Sequence, residues 1–134
     1  MVNGKPLVQF PVDAAAQSKY VDEIWVATDS SAISNAVLDL GLMGKLYVFR
    51  RSEENAQDNS NSEDVLMEFT TKYYSHGFSE KDFDIMVFMQ CTAPLTATED
   101  IDGGLELLES DPNIDSVLSG CKDSGGWMCG GFQW

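Results

Sequence analysis

The chain has few cysteines and histidines, the residues that cross-link small domains or hold structural zinc. Among its 134 residues are three cysteines, Cys91, Cys121 and Cys129, and one histidine. No two of the cysteines have C-x-x-C spacing, so neither a disulfide framework nor a structural zinc site is expected, and we interpret them as reduced, mostly buried thiols. The histidine, His76, follows a predicted helix in a polar connection. This placement indicates no Cys–His pair of the kind that activates a nucleophile.

Positive charge is also scarce. Eight Lys and Arg residues against 22 Asp and Glu residues give a formal net charge of −14 at pH 7. Such a chain repels nucleic-acid backbones and anionic membrane surfaces, so we expect neither as a partner. It would also repel a nucleoside triphosphate unless cations gather locally. The one adjacent arginine pair is Arg50–Arg51.

Long apolar runs are missing as well. None approaches the ~20 residues that span a bilayer, and the N-terminal stretch "MVNGKPLVQF" lacks the apolar region of a signal peptide. We therefore expect a cytoplasmic location. The residues are 43% hydrophobic, which is enough for a buried core. The length fits a single domain, residues 1–134.

Four near-continuous apolar runs predict strands that are covered on both faces, at residues 23–28, 45–49, 84–90 and 115–119. Between the runs lie three apolar stripes with helical spacing, formed by Ile33, Val37 and Leu40, by Val65, Leu66, Phe69 and Tyr73, and by Ile101, Leu105 and Leu108. Alternating strands and helices predict an α/β fold with a parallel sheet.

Local signals predict where the helices begin and end. Gly41 should stop the first of these helices, and capping boxes at residues 60–63 and 96–99 should start the other two. Residues 6–18 also predict a helix, interrupted by Pro11, with no strand before it. A doubly wound sheet usually has its first strand in the middle. Since the chain ends on the Gly- and Trp-rich "SGGWMCGGFQW", we expect truncation at both ends.

Polar segments follow three of the predicted strands: "ATDSS" (27–31), "FRRSEENAQDNSNS" (49–62) and "MQCTAPL" (89–95). In open α/β sheets, ligands bind beyond the carboxyl ends of the strands, so the three segments could form one cleft. Each also has a structural alternative. Asp29 or Ser30 would cap a helix, Arg50–Arg51 would be solvated surface charge, and the polar residues of "MQCTAPL" would close a turn.

Taken in order, four stretches resemble the CMP-sialic acid synthetases, also called acylneuraminate cytidylyltransferases. The stretches are "GKPLV" (4–8), "AAAQSKYVDEIWVATDSSAIS" (14–34), "RRSEENAQDNSNSEDV" (50–65) and "MQCTAPLTATEDID" (89–102). The resemblance implies a three-layer Rossmann-like nucleotidyltransferase fold with a mostly parallel sheet, incomplete because the first strand and the C-terminal part are missing. It implies a reaction of CTP with an acidic nine-carbon sugar such as N-acetylneuraminate, which gives CMP-sugar and pyrophosphate. It also implies Mg²⁺ as cofactor and a homodimeric full-length parent.

The resemblance assigns site residues by position. The nucleotide-binding residues are Arg51, Asn61, Ser62 and Gln90, and the sugar-binding residues are Gln90, Thr92 and Pro94. Cys91 and Ala93 depart from the proline and serine that the family has there. The family's phosphate loop falls just before residue 2 and its metal-binding aspartates fall after residue 134. For this reason no catalytic residue and no metal ligand are assigned within the chain, and we expect the 134 residues alone to be a poor catalyst.

Two alternatives remain open at this point. The chain could be a non-catalytic α/β module, or it could belong to a cytidylyltransferase for a related sugar, such as legionaminate, pseudaminate or the eight-carbon acid KDO.

Overall fold

A computed structural model of the chain describes residues 1–53, 61–75, 83–123 and 126–129. In these residues the helices are α1 (Gln9–Gln17), α2 (Ser31–Leu38), α3 (Ser62–Ser75) and α4 (Thr98–Ser110). The strands are β1 (Ile24–Thr28), β2 (Leu46–Arg50), β3 (Gly120–Asp123) and β4 (Gly126–Cys129). The chain divides into a central unit, Glu23–Phe88, and a terminal unit, Met1–Asp22 with Met89–Trp134.

The central unit is built on a parallel pair of strands. β1 pairs with β2 in a register that places Ile24 beside Leu46 and Thr28 beside Arg50. Both strands lie within one residue of the predicted runs 23–28 and 45–49, because β-branched and aromatic residues favour strands. Helix α2 connects them and packs on both, as in a βαβ unit. The predicted α/β class with a parallel sheet is therefore confirmed.

Helix α2 begins and ends where its sequence predicts. Ser30 is the N-cap, and its hydroxyl accepts a hydrogen bond from the backbone N–H of Ile33 at 3.4 Å. Gly41 follows the helix with φ of +71°, a conformation that suits glycine because it has no Cβ. Val37 is fully buried at 0% exposure, so it anchors the helix on the sheet.

Aromatic residues cover one face of the β1–β2 pair. Trp25 of β1 stacks on Tyr47 of β2 with ring centroids 4.7 Å apart. Phe69 of α3 packs on Trp25 at 5.4 Å and edge-on against Phe49 at 5.3 Å. Helix α2 packs on both strands. Ile24 and Leu46, which pair at the start of the sheet, are buried.

The terminal unit is held by the packing of α1 on α4. Its apolar core consists of Val12, Ala14, Ala15, Ile101 and Leu105. Two polar contacts join the same helices. The Thr98 hydroxyl donates to the backbone carbonyl of Ala14 at 2.9 Å, and the hydroxyl of the buried Ser18 donates to the Asp102 carboxylate at 2.5 Å.

Pro11 does not interrupt the first helix, contrary to the prediction. Helix α1 starts at Gln9, so Pro11 is its third residue, and it is buried. The first four N–H groups of a helix have no intrahelical acceptor. A proline there therefore loses no hydrogen bond.

The predicted capping box at residues 96–99 is shifted by one residue. Ala97 is the N-cap of α4, and its N–H donates to the Asp100 carboxylate at 2.9 Å. Thr96 instead donates its hydroxyl to the carbonyl of Ala93 at 3.1 Å. Helix α3 begins similarly, with the N–H of Asn61 donating to Asp64 at 3.3 Å. The predicted cap Ser60 lies outside the described residues.

Two of the four predicted strands are wrong. Residues 84–90 and 115–119 belong to no strand of the described chain, and β1–β2 is a two-stranded sheet. An apolar run becomes a strand only where a partner satisfies its backbone groups, and the described residues show no such ladder there. Ile85 and Phe88, at 36% and 39% exposure, are partly solvated instead of covered on both faces.

The second sheet is an antiparallel hairpin that the sequence analysis missed. Pairing runs from Gly120 with Cys129 to Asp123 with Gly126. The Gly-rich C-terminal stretch therefore contains a strand pair. The expectation of buried cysteines is wrong for Cys91, which is exposed. In the described part of the chain, no helix combines the length and apolarity needed to cross a membrane.

Candidate functional site

The carboxyl ends of β1 and β2 bring two charged residues together. Thr28 and Arg50 are the last paired residues of the sheet. One residue further, the backbone N–H of Arg51 donates to the carbonyl of Thr28 at 3.3 Å. Because the strands are parallel, this places Asp29, which follows β1, beside Arg51, which follows β2.

The two side chains form an ion pair across the strand ends. Arg51 Nη2 donates to Asp29 Oδ1 at 2.8 Å. This hydrogen bond, more than any other contact, lowers the pKa of Asp29 below its usual range, and the charge of the neighbouring Arg50 acts in the same direction. Within the described residues, the buried Nε–H of Arg51 has no hydrogen-bond partner. The guanidinium therefore keeps donor capacity beyond what Asp29 uses.

A carboxylate of α3 holds the segment that follows Arg51. The backbone N–H and the hydroxyl of Ser52 donate to Glu68, at 2.9 Å to Oε1 and 3.1 Å to Oε2. Glu68 is also ion-paired with Lys72, one turn along the helix. Its side chain is only 10% exposed. The chain around Arg51 is therefore fixed by β1 on one side and by α3 on the other.

Asn61 and Ser62 lie at the start of α3. Asn61 is exposed and precedes the helix, and Ser62 is its half-buried first residue. They belong to the same central unit as Arg51. Residues 54–60 of the predicted loop lie outside the described residues.

Gln90, Thr92 and Pro94 lie in consecutive turns before α4, in the terminal unit. The N–H of Ala93 donates to the carbonyl of Gln90 at 3.1 Å, and the Thr92 hydroxyl is 3.4 Å from Gln90 Oε1. This agrees with the alternative that these residues close a turn. That they also line one cleft with Arg51 stays a prediction.

The sequence analysis missed two residues of this site. It placed Asp29 in the polar segment 27–31 and offered it as a helix cap, although the cap is Ser30. It assigned Asp29 no role beside Arg51, and it did not single out Glu68. A signal for Asp29 was present, since a parallel pairing of "WVATD" with "YVFRR" aligns Asp29 with Arg51. Glu68 gave no comparable signal, because its partner Ser52 is 16 residues away.

The described residues offer no set of metal ligands. No group of three or more His, Cys, Asp or Glu side chains in this part of the chain is placed to hold a metal ion. Asp29, the carboxylate nearest to Arg51 at the strand ends, is ion-paired with it. The described residues therefore do not fit the Mg²⁺ that the resemblance implies.

Comparison with known proteins identifies the family. A sequence profile described as "Cytidylyltransferase" matches residues 1–123. The chain is 29% identical over 119 residues to N-acylneuraminate cytidylyltransferase A of Danio rerio. The aligned residues cover 89% of this chain and 25% of that protein. It is 27% identical over 118 residues to a 3-deoxy-manno-octulosonate cytidylyltransferase of Thermodesulfovibrio yellowstonii, with 88% and 43% coverage.

A third relative has another sugar in its name. CMP-N,N'-diacetyllegionaminic acid synthase of Legionella pneumophila is 30% identical over 109 residues, which cover 80% of this chain and 44% of that protein. The chain thus spans a quarter to less than half of these three relatives. Since the profile match takes in both units and nearly the whole sequence, the chain belongs to the cytidylyltransferase family and has a partial Rossmann-like nucleotidyltransferase fold.

Proposed function

We propose that the chain is part of an enzyme that transfers CMP from CTP to an acidic nonulosonic sugar such as N-acetylneuraminate and releases pyrophosphate. The observation that carries this proposal is the cytidylyltransferase match over residues 1–123. The chain spans only part of its relatives, so the activity of a whole protein is inferred from the family and from the chemistry of the strand ends.

The charge distribution supports binding of the nucleotide at the ends of β1 and β2. The chain carries a net charge of −14, and its only two arginines are adjacent at the end of β2. Guanidinium groups bind phosphate oxygens through paired N–H donors. Arg51 retains such donors, because its contact with Asp29 uses Nη2 and 27% of its side chain is exposed. The strand ends therefore provide the local cations that a triphosphate requires on this acidic chain.

The proposed reaction is an attack of the sugar's anomeric hydroxyl on the α-phosphorus of CTP. A bond forms between the anomeric oxygen and phosphorus, the bond to pyrophosphate breaks, and the hydroxyl proton is lost. Negative charge moves onto the leaving pyrophosphate, where cationic donors lower the barrier. We assign Arg51, Asn61 and Ser62 to the nucleotide. Gln90 is assigned to both ligands.

The sugar is assigned to Thr92 and Pro94 together with Gln90. A bound Mg²⁺ would supply further charge stabilisation of the pyrophosphate. Because the described residues do not provide its ligands, we assign no step to it.

The identity of the acid sugar is the finer part of the proposal. The three relatives are named for N-acylneuraminate, 3-deoxy-manno-octulosonate and diacetyllegionaminic acid, at similar identities of 29%, 27% and 30%. We favour N-acetylneuraminate because the four quoted stretches resemble the CMP-sialic acid synthetases in the same order. Legionaminate, pseudaminate and KDO are the alternatives.

The first test is nucleotide binding to the 134-residue chain, followed by two-dimensional NMR. CTP and CMP should shift the backbone signals of Arg51, Asn61 and Ser62, and ATP at equal concentration should shift them less. Arg51→Lys should weaken CTP binding, because lysine keeps the charge but loses the planar set of donors. If 5 mM CTP leaves these signals unmoved (a concentration on the order of weak, millimolar binding), the proposal is wrong.

The second test identifies the sugar. CMP-sugar formation from CTP by the full-length parent protein is measured with N-acetylneuraminate, legionaminate, pseudaminate and KDO in parallel, by mass spectrometry of the products. The full-length protein is used because the 134 residues alone are expected to be a poor catalyst. We expect the largest yield with N-acetylneuraminate. A larger yield with KDO would move the assignment to the eight-carbon acids, and CTP binding without product from any sugar would favour the non-catalytic module.

A further inference from the structure

Asp29 contacts Arg51, the cationic side chain among those that the proposed function assigns to the nucleotide. Its Oδ1 lies 2.8 Å from Arg51 Nη2, and the main chain of Arg51 is separately bonded to the carbonyl of Thr28 at 3.3 Å. The arginine is therefore fixed at both ends, by its backbone N–H and by its guanidinium. A free arginine side chain has several rotatable bonds, and binding an anion orders them at a cost in entropy.

The contact with Asp29 leaves the rest of the guanidinium for a ligand. A guanidinium has five N–H donors in one plane, and the contact with Asp29 uses Nη2. The Nε–H is buried and unpartnered in the described part of the chain. About a quarter of the side chain remains exposed, at 27%. An acceptor that arrives at the strand ends would meet the remaining donors of an already oriented guanidinium. The buried Nε–H becomes available to it only if its surroundings rearrange.

We propose that Asp29 is a positioning residue for the nucleotide, because it holds the Arg51 guanidinium in the orientation that receives a phosphate or ribose oxygen of CTP. The inference rests on the proposed function, since it presumes that Arg51 binds the nucleotide. Asp29 itself need not touch CTP. Its contribution is that Arg51 is ordered before the nucleotide arrives, so less conformational freedom is lost on binding.

The negative charge of Asp29 acts against this effect, since it repels phosphate. We expect orientation to dominate, for two reasons. The side chain of Asp29 is 48% exposed, so water and salt screen its charge. Arg50 adjoins Arg51 and further offsets that charge. The ion pair with Arg51, in contrast, is a direct contact that fixes the geometry of the donor.

The test uses isosteric removal of the charge in the 134-residue chain. Asp29→Asn keeps the shape and one acceptor oxygen, and Asp29→Ala removes both. Asp39→Asn is the matched control. It neutralises an exposed carboxylate at the far end of α2, about 12 Å along the helix from its start, so it reports the general effect of removing one negative charge. Circular dichroism verifies that all variants are folded.

Two quantities are measured. The first is the Nε–Hε NMR signal of Arg51 without nucleotide, which is readily assigned because the sequence has only two arginines and Arg50→Lys identifies the other. The second is the Kd for CTP. We expect Asp29→Asn to shift or broaden the Arg51 signal and to weaken CTP binding about three- to tenfold. Asp29→Ala should weaken it further, and Asp39→Asn should leave the Arg51 signal in place and the Kd equal or lower.

The outcomes distinguish a failure of this inference from a failure of the proposed function. If Asp29→Asn moves the Arg51 signal but binds CTP as tightly as the parent chain, Asp29 does not position Arg51 for the nucleotide. If the Arg51 signal is the same in Asp29→Asn as in the unmodified 134-residue chain, the ion pair does not order the side chain and the inference is wrong. If the unmodified 134-residue chain binds no CTP, the proposed function and the inference are overturned together.

Discussion

Glu106 shows how one exposed carboxylate links two elements of the terminal unit. It accepts hydrogen bonds from Lys19 at 2.8 Å and from the Tyr20 hydroxyl at 2.9 Å. The bond from Lys19 is the main cause that lowers the pKa of Glu106. In return, the bond to Glu106 raises the pKa of Lys19 to about 12 and also raises the pKa of Tyr20. These residues join α4 to the segment that follows α1.

The first prediction concerns the titration of Tyr20. Glu106→Gln should lower the Tyr20 pKa toward its ordinary value, because a neutral amide favours the protonated phenol less than a carboxylate does. The pKa is measured from the ring carbon NMR signals between about pH 8 and 12, which spans the ordinary tyrosine pKa. Glu109→Gln, which removes an exposed charge on the same helix, is the control and should leave Tyr20 unchanged. Equal titration in both variants would contradict the role of Glu106.

The sign of the accompanying stability change follows from the direction of the shift. Since the folded-state pKa of Tyr20 is raised, its contribution is fully present below the ordinary tyrosine pKa and is lost as the pH rises through the raised value. The lowered pKa of Glu106 acts at the other end of the scale, where its contribution is lost as the pH falls through the lowered value. In Glu106→Gln, the free energy of unfolding should therefore depend less on pH, both at acidic pH and at alkaline pH.

At the level of elements, α2 depends on one buried side chain. Val37 is completely buried, while the next residue, Leu38, is 63% exposed. We predict that Val37→Ala lowers the free energy of unfolding by about 2 kcal/mol, through lost burial and the cavity left behind. Leu38→Ala should change it by less than about 0.5 kcal/mol. Urea unfolding followed by circular dichroism measures both, and similar losses from the two variants would contradict the packing of α2 on the sheet.

Glu68 provides the second element-level prediction, because it ties α3 to the end of β2. Glu68→Ala removes the charged acceptor of the Ser52 N–H and hydroxyl. The free energy of unfolding should fall by about 1.5–3 kcal/mol, the range for hydrogen bonds to charged groups. Amide exchange at Ser52 should become faster. Glu63→Ala, in the first turn of α3, is the control. Its loss should stay below about 1 kcal/mol, and unchanged exchange at Ser52 in Glu68→Ala would refute the link.

The elements that the sequence could predict are those whose signals are local. β1, β2 and the Ser30 cap follow from residue type and spacing within a few positions. The segment 84–90 has an equally apolar sequence, but its state depends on whether a strand lies beside it, which is a property of distant residues. The antiparallel hairpin β3–β4 was not predicted, because glycine is depleted in strands. The dipeptide "SG" in the sequence between these strands is nevertheless a recognised turn signal.

The same distinction applies to the site. The position of Arg51 after a strand could be predicted from the sequence, since strand ends are marked by the change from apolar to polar residues. The position of its partner Asp29 could be predicted only from the register of β1 and β2. The hydrogen bonds from Ser52 to Glu68 depend on how α3 packs, which the local sequence does not show. A single cleft lined by residues of both units stays a prediction.

For the molecule as a whole, charge sets the conditions under which a nucleotide can bind. The net charge of −14 repels an anion at long range, whereas Arg50 and Arg51 attract it only close to the strand ends. Salt screens interactions beyond about 30 Å at 0.01 M and beyond about 10 Å at 0.1 M. Moderate salt should therefore weaken the repulsion from distant carboxylates before it weakens the contact with Arg51.

The final prediction follows from this difference in range. CTP binding to the chain should strengthen about two- to fivefold when NaCl is raised from roughly 10 to 150 mM, and weaken again toward 1 M as the contact with Arg51 is screened. The Kd is measured by NMR titration without divalent ions. Cytidine, which is uncharged, serves as the control, and its affinity should stay nearly constant over the same range. A steady fall in CTP affinity from the lowest salt, as basic proteins show with anionic ligands, would mean that the arginine pair outweighs the surrounding acid even at long range.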